Sequence, residues 1–153
     1  MSEPIVVSVN ISDKKGVRKT PLPEGRLEPG VGLVEDAHSG SWHRQLSLLA
    51  LESIESMRAK GLEVNAGDFA ENITTRGLIL HTLPVGSRIM LGTVEVEVTQ
   101  IGKECHTGCA IRKLTGDCVM PREGIFAKVL NPGVVRPGDP VRLLSTGAVG
   151  AGA

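Results

Sequence analysis

The chain has 153 residues, enough for one domain with a sizeable core and little room for a second. Its 17 Lys and Arg balance its 17 Asp and Glu, so no global field draws it to nucleic acid or an anionic membrane. The apolar fraction of 41% is ordinary, but 19 glycines, 9 prolines and only 2% aromatic residues favour short strands, tight turns and a core of Val, Ile and Leu.

The same composition argues against further classes. Base stacking needs aromatic side chains close together, and Trp42, Phe69 and Phe126 are widely spaced. Neither an apolar N-terminal leader nor an apolar run of membrane-spanning length is present, so no secretion signal and no membrane span are predicted. Cys105, Cys109 and Cys118 are odd in number and cannot all pair internally. Free thiols in a reducing, cytoplasmic compartment are the simpler expectation.

In chain order, Ile5 to Ile11 is rich in β-branched residues and reads as a strand. Asp13 to Gly16 turns the chain, and Val17 to Thr20 is a candidate return strand. Pro21 to Gly32, dense in proline and glycine, is expected to be loop, and Asp36 to Arg44 is too irregular for either regular element. Leu46 to Leu49 suits a short buried strand. Leu51, Ile54 and Met57 then recur at helical spacing, with Gly61 as a stop. Ala66 to Leu80 has no clear period.

The clearest strand is Thr93 to Gln100, where Val94, Val96 and Val98 alternate with Glu95, Glu97 and Thr99. Arg88 to Leu91 precedes it across Gly92-Thr93 as a hairpin partner. Gly124 to Leu130 suits a strand or a helix, and Pro140 to Leu144 a last strand. Ser145 to Ala153 is expected to be a disordered tail following a domain over residues 1–144. Leu83-Pro84-Val85-Gly86-Ser87 and Arg136-Pro137-Gly138-Asp139 echo each other as turns leading into strands. About six or seven short strands with one good helix predict a mainly β protein, a single closed or nearly closed barrel narrow enough for branched aliphatics to fill.

Polar residues gather between the strand candidates, in Asp36 to Gln45, Asp68 to Arg76 and Lys103 to Glu123, where sites on a β scaffold usually sit. The third segment is the richest. Cys109 lies among Cys105, His106, Arg112 and Lys113, and a tight turn at Thr107-Gly108 brings cations to the thiol and favours the thiolate, the nucleophilic and metal-binding form. Thiolate sulfur suits a soft or sulfur-rich metal centre. Free cysteines are also common as small core residues, the preferred reading for Cys118 and an equal one for Cys105. The spacing lacks the paired Cys-x2-Cys knuckles of structural zinc. Asp36 and His38 share a face in extended chain, as an acid–base or ligand pair or as part of a hydrogen-bonded loop. Asp68, Glu71, Asn72, Thr74 and Thr75 would fix a polar ligand or cap their own loop.

The run from Gly102 through Cys109 to Ile111, continued by Gly116 to Phe126, resembles the signature of stand-alone MOSC domains, bacterial relatives of the C-terminal domain of molybdenum cofactor sulfurase. Gly67-Asp68-Phe69-Ala70-Glu71-Asn72-Ile73 is similar to that family's Gly-Asp/Glu-x-x-Glu-Asn-Ile/Leu block. Leu83 to Gly86 and Val135 to Asp139 match its turns, so the likeness runs from about Val6 to Leu144. One position departs from the pattern. The family's Gly-Ile-x-Gly-Asp-x-His reads Gly32-Leu33-Val34-Glu35-Asp36-Ala37-His38, and the glycine replaced by Glu35 suggests a tight turn or a close approach to a ligand.

The resemblance implies a β-barrel and molybdenum-cofactor or sulfur chemistry centred on Cys109, as a ligand to molybdenum or the carrier of a persulfide sulfur. It also implies that Asp36, His38, Glu71 and Asn72 line the same cavity. Arg44, Lys103, Arg112 and Arg122 are then candidates for the phosphate of molybdopterin, since a guanidinium fork suits phosphate oxygens. Partners would be molybdenum-cofactor or sulfur-transfer proteins. A non-enzymatic adaptor that passes sulfur or cofactor between partners, and a structural domain with buried thiols, are the alternatives. Pyridoxal phosphate, which belongs to the aminotransferase-like domain of the sulfurases, has no support in these residues.

Overall fold

The computed structural model describes residues 4–12, 19–37, 39–40, 42, 45–61, 63–69, 71–102 and 124–145. Among them the strands are β1 (Ile5–Ile11), β2 (Thr20–Leu22), β3 (Gly25–Glu28), β4 (Gly32–Leu33), β5 (Leu46–Ala50), β6 (Ile73–Arg76), β7 (Arg88–Leu91), β8 (Val94–Ile101), β9 (Ile125–Val129), β10 (Gly133–Val135) and β11 (Val141–Ser145). One helix, α1 (Leu51–Arg58), and a 3-10 turn at Leu80–Thr82 complete the described elements. No helix among the described residues is long and apolar enough to cross a membrane.

The main sheet runs in the order β11-β7-β8-β9-β5-β6-β1-β2. Neighbours are antiparallel except β5 and β6, which α1 joins as a parallel crossover. The sheet curls until its ends meet. Ile5 bridges Pro140, the Val6 N–H donates to Asp139 O at 2.8 Å, and the Val141 N–H donates to Pro4 O at 2.9 Å. The result is the nearly closed barrel that the composition and the resemblance predict.

The echoed turns have matching jobs. Gly86 and Gly138 each hold a positive φ at the third turn position, which favours glycine. The Gly86 N–H donates to Val98 O while Val98 N–H donates to Ser87 O. In the same way Gly138 N–H donates to Val6 O while Val6 N–H donates to Asp139 O. One of the two turns fastens β8, the other closes the barrel on β1.

Two sequence expectations are corrected. The stretch from Pro21 to Gly32 is not all loop: it carries β3 and most of a small second sheet, ordered β10-β3-β4, with Leu27 opposite Leu33. Burial of Leu27, Leu33 and Val135 drives these short pairings, and Pro23 and Pro29 stand just outside β3. Of the return strand expected over Val17 to Thr20, Val17 and Arg18 lie outside the described residues, and Thr20 opens β2 on β1, with Leu22 opposite Val9; Pro21 fits there because β2 is a sheet edge. Strand number therefore exceeds the six or seven expected. Residues 124–130, open to two readings, form a strand because β5 and β8 pair on both sides of β9.

The sheet has two buried faces. Inward lie Val6, Val9, Leu46, Leu48, Ile73, Ile89, Val94, Val96, Val98 and Ile125, in one cluster that contains no aromatic side chain. The outward residues of β5 and β9, Leu49 and Phe126, pack instead with Ile54 and Met57 of α1, Val64 and Phe69. The helix ends at Arg58, and Gly61 finishes the following turn at φ +95° with its N–H on Arg58 O.

Candidate functional site

Beside the α1 cluster, the outward face of β1, β6 and β5 is polar yet sealed. Alternation on β1 and β6 sends Val9 and Ile73 inward and turns Asn10 and Thr74 to the other face. Asn10, Glu71, Asn72 and Thr74 are all fully buried there, so each polar atom needs a partner. The Glu71 carboxylate accepts from the Gly67 N–H (2.8 Å), the Phe69 N–H (3.2 Å) and the Thr74 hydroxyl (2.7 Å). Burial pushes its pKa above the ordinary carboxylate value, although these donors pull it down.

Asn72 fastens β6 to both neighbours. Its Oδ1 accepts from the Ser47 N–H (3.0 Å) and hydroxyl (3.1 Å), and its Nδ2 donates to Asn10 O (3.3 Å). Asn10 donates through Nδ2 to Glu71 O and Thr74 Oγ1, each at 3.2 Å, and accepts the Ser8 hydroxyl at 2.6 Å. Asp68 accepts the Asn65 N–H at 2.9 Å. Of the two readings of this segment, the described contacts match loop capping. Thr75 differs, since it shares the inward face with Ile73 and its buried hydroxyl has no hydrogen-bond partner among the described residues.

Asp36 closes the other end of the seam. Its Oδ1 lies 2.9 Å from Lys19 Nζ, with both side chains completely enclosed, and accepts the Ser12 N–H at 3.0 Å. Lys19 Nζ also donates to the Ser12 hydroxyl at 2.8 Å, and Lys19 N–H donates to Gly67 O at 2.8 Å. Asp36, Glu71 and Asn72 thus belong to one chain of contacts running through Lys19 and Gly67. The sequence reading did not single out Lys19, Asn10 or Ser47. Ser8 and Asn10, alternating with valines, carried the only signal.

The turn before Asp36 explains the departure at position 35. Asp36 N–H donates to Leu33 O at 3.1 Å, and Glu35, exposed at the third turn position, has φ +72°. That conformation favours glycine. At Gly32 an added Cβ would stand 2.1 Å from Gln45 O, and at Gly67 2.4 Å from Lys19 O, so both glycines are required by close approach.

Cys109, His38, Arg44, Lys103, Arg112 and Arg122 lie outside the described residues, as do Cys105 and Cys118. The roots of the 103–123 segment are described. Ile101 pairs with Ile125, and Gly102 N–H donates to Gly124 O at 2.6 Å, so the segment leaves and rejoins the barrel at one point. Next to that point Phe126 pairs with Ser47, the partner of Asn72. Among the described residues no cluster of three or more His, Cys, Asp and Glu could hold a metal ion.

The family model described as MOSC domain matches residues 35–142. The chain belongs to the MOSC domain family. That family is associated with molybdenum cofactor sulfurases, and its general setting is molybdenum-cofactor biology. The search of curated proteins gave no match. Among solved structures, the fold is similar to YiiM from Geobacillus stearothermophilus (TM-score 0.69, 23% identity, covering 92% of this chain and 75% of that one). It is also similar to the YuaD protein from Bacillus subtilis (TM-score 0.74, 18% identity, 94% and 98% covered) and to YiiM from Escherichia coli (TM-score 0.68, 21% identity, 95% and 71% covered). These likenesses concern the MOSC fold. Lys19 precedes the span that the family model matches.

Proposed function

We propose that this MOSC domain handles molybdenum cofactor or its sulfur, with Cys109 as the residue that ligates molybdenum or carries a persulfide. The observation that carries the reading is the clasp at Gly102 and Gly124, which roots the Cys109 segment two residues from Phe126, the strand neighbour of Ser47, which Asn72 fastens. The donor chemistry fits. Asp36 and Glu71 are already engaged by Lys19 and by loop N–H groups, so these buried carboxylates offer little to a hard cation, and the soft donor left to bind a sulfur-rich centre is thiolate.

On this reading Asp36, Glu71 and Asn72 hold the loops that border the site. His38, Arg44, Lys103, Arg112 and Arg122 are the candidates to meet the phosphate and polar edges of molybdopterin. When bound, the cofactor would supply the redox chemistry. As a sulfur carrier, the Cys109 thiolate would attack the outer sulfur of a donor persulfide, forming a new S–S bond while the donor leaves as thiolate. Molybdenum-cofactor or sulfur-transfer proteins are the partners this chemistry implies.

Metal analysis of protein from a molybdate-fed host tests the ligand role. Bound molybdenum should be lost in Cys109→Ser, and full retention refutes ligation. Incubation with a cysteine desulfurase and cysteine tests the carrier role by mass spectrometry, with one added sulfur on Cys109 expected in wild type and none in Cys109→Ser.

A further inference from the structure

The pairings send β6, β8 and β11 toward one end of the barrel, and β7 starts from that end. The stretch between β6 and β7 crosses it, with Leu78, Leu80 and Leu83 packed into the core as a plug. Between those leucines Ile79 turns outward and is 62% exposed, and Val85, Ile101, Leu143 and Leu144 are exposed as well. Among the described residues these five are the exposed large aliphatics, and each lies within three residues of where a strand enters or leaves this end. Single exposed aliphatics are ordinary on a protein surface, but five gathered at one end of a barrel mark a place of contact.

The charges at this end are one-sided. No Asp or Glu occurs between Glu71 and Glu95 or after Asp139, so the stretches 76–88 and 142–145 carry Arg76, His81, Arg88 and Arg142 and no acid. Arg88 is met by Glu95 and Glu97 of β8, whereas the exposed Arg76 and Arg142 have no ion pair among the described residues. Glu52 reaches this end from α1, where its carboxylate accepts the Gly77 N–H at 2.9 Å. We propose that this end of the barrel is a docking surface for a protein whose contact face is aliphatic at its centre and acidic around it. A second copy is the wrong occupant, because an isologous contact sets Arg76 and Arg142 against like charges. A lipid surface is too weak an occupant, since two free arginines on a chain of zero net charge bring only about 1 kcal/mol each. The inference deepens the proposed function by giving the transfer partner a place, and for that partner's role it rests on the proposed reading. Ile101 directly precedes the Gly102–Gly124 clasp, so a protein seated here meets the root of the 103–123 segment.

The test installs a photo-crosslinking residue at Leu144 and, as a control at the opposite end, at the exposed Thr93 of the β7–β8 turn, in cells of the native host. The protein captured is purified and titrated by calorimetry against wild type and the double variant Arg76→Glu/Arg142→Glu. Capture at Leu144 but not at Thr93 is expected. The affinity should fall about tenfold or more on charge reversal, and in wild type as salt rises from about 50 to 300 mM. Should the reversed variant not fold, Ile79→Ser/Leu144→Ser replaces it, and a similar loss with the salt dependence kept is expected. Capture of a second copy, of lipid, of the same proteins at both positions or of nothing overturns the inference, as does an affinity indifferent to the substitutions. Cys109→Ser separates this surface from the proposed function. Partner binding that survives Cys109→Ser, with neither sulfur nor molybdenum on wild type, removes that function and leaves the surface. Sulfur or molybdenum on Cys109, with binding unmoved by charge reversal, does the opposite.

Discussion

The inside of the barrel and the seam on its outer face are both sealed from water but held in different ways. Inside, Leu, Ile and Val side chains interlock without an aromatic ring, and contact with any apolar neighbour of the right size serves. In the seam, Asn10, Glu71, Asn72 and Asp36 each need particular partners at particular angles, because an unmet buried polar group costs more than a met one returns. The difference separates two tasks. The interior makes the domain stable, and the seam fixes where the 33–37 and 66–72 loops run.

Four substitutions should sharpen that contrast. The largest effect is expected for Asn72→Ala, which strands the Ser47 N–H and Asn10 O in a dry setting. A loss of about 3 kcal/mol by urea denaturation would match that of a buried leucine truncation such as Leu48→Ala, and a loss under about 1 kcal/mol would mean the seam is not tight. Next comes Glu71→Gln. Because the folded pKa lies above the unfolded one, the folded state holds the extra proton, and wild-type stability should fall as pH rises from about 4.3 through the folded pKa. The slope should reach at most about 1.4 kcal/mol per pH unit and vanish in the glutamine variant, and two parallel profiles would contradict the assignment.

Thr75→Val tests the inward polar group that has no partner among the described residues. Replacing an orphaned hydroxyl by methyl should raise stability by about 1 kcal/mol, and a comparable loss would reveal a bond that the geometry does not show. The smallest gain is expected from Glu35→Gly. Relief of the φ +72° conformation, offset by glycine's extra freedom when unfolded, should leave about 0.5–1 kcal/mol, or a Tm higher by roughly 2–3 °C.

Much of the barrel was legible. Val94, Val96 and Val98 against Glu95 and Glu97 announced β8 because one face of that strand is wetter than the other. β3, β4 and β10 were not, since each is too short to carry a period and becomes a strand only through its partner. At the site, Glu71 and Asn72 stood out through the family block, but their fastening role was hidden. Their partners are largely main-chain groups, which leave no mark in a sequence. Lys19 was silent for a related reason: its partner Asp36 is 17 residues away, beyond any helical or strand repeat.

The clasp between β1 and the turn before β11 bears on how this chain is made. The outer edge of β1 is shared: Val9 to Ile11 pair with β2, close by in sequence, while Ile5 and Val6 wait for Asp139 and Pro140. On a ribosome that second half stays open until nearly all of the described barrel has been synthesised. Closure of so long a loop should be a late and comparatively slow step of folding. Meanwhile the nascent chain exposes a short β-branched edge of the kind that recruits other strands, so the early β2 pairing leaves only the first residues of β1 to be guarded.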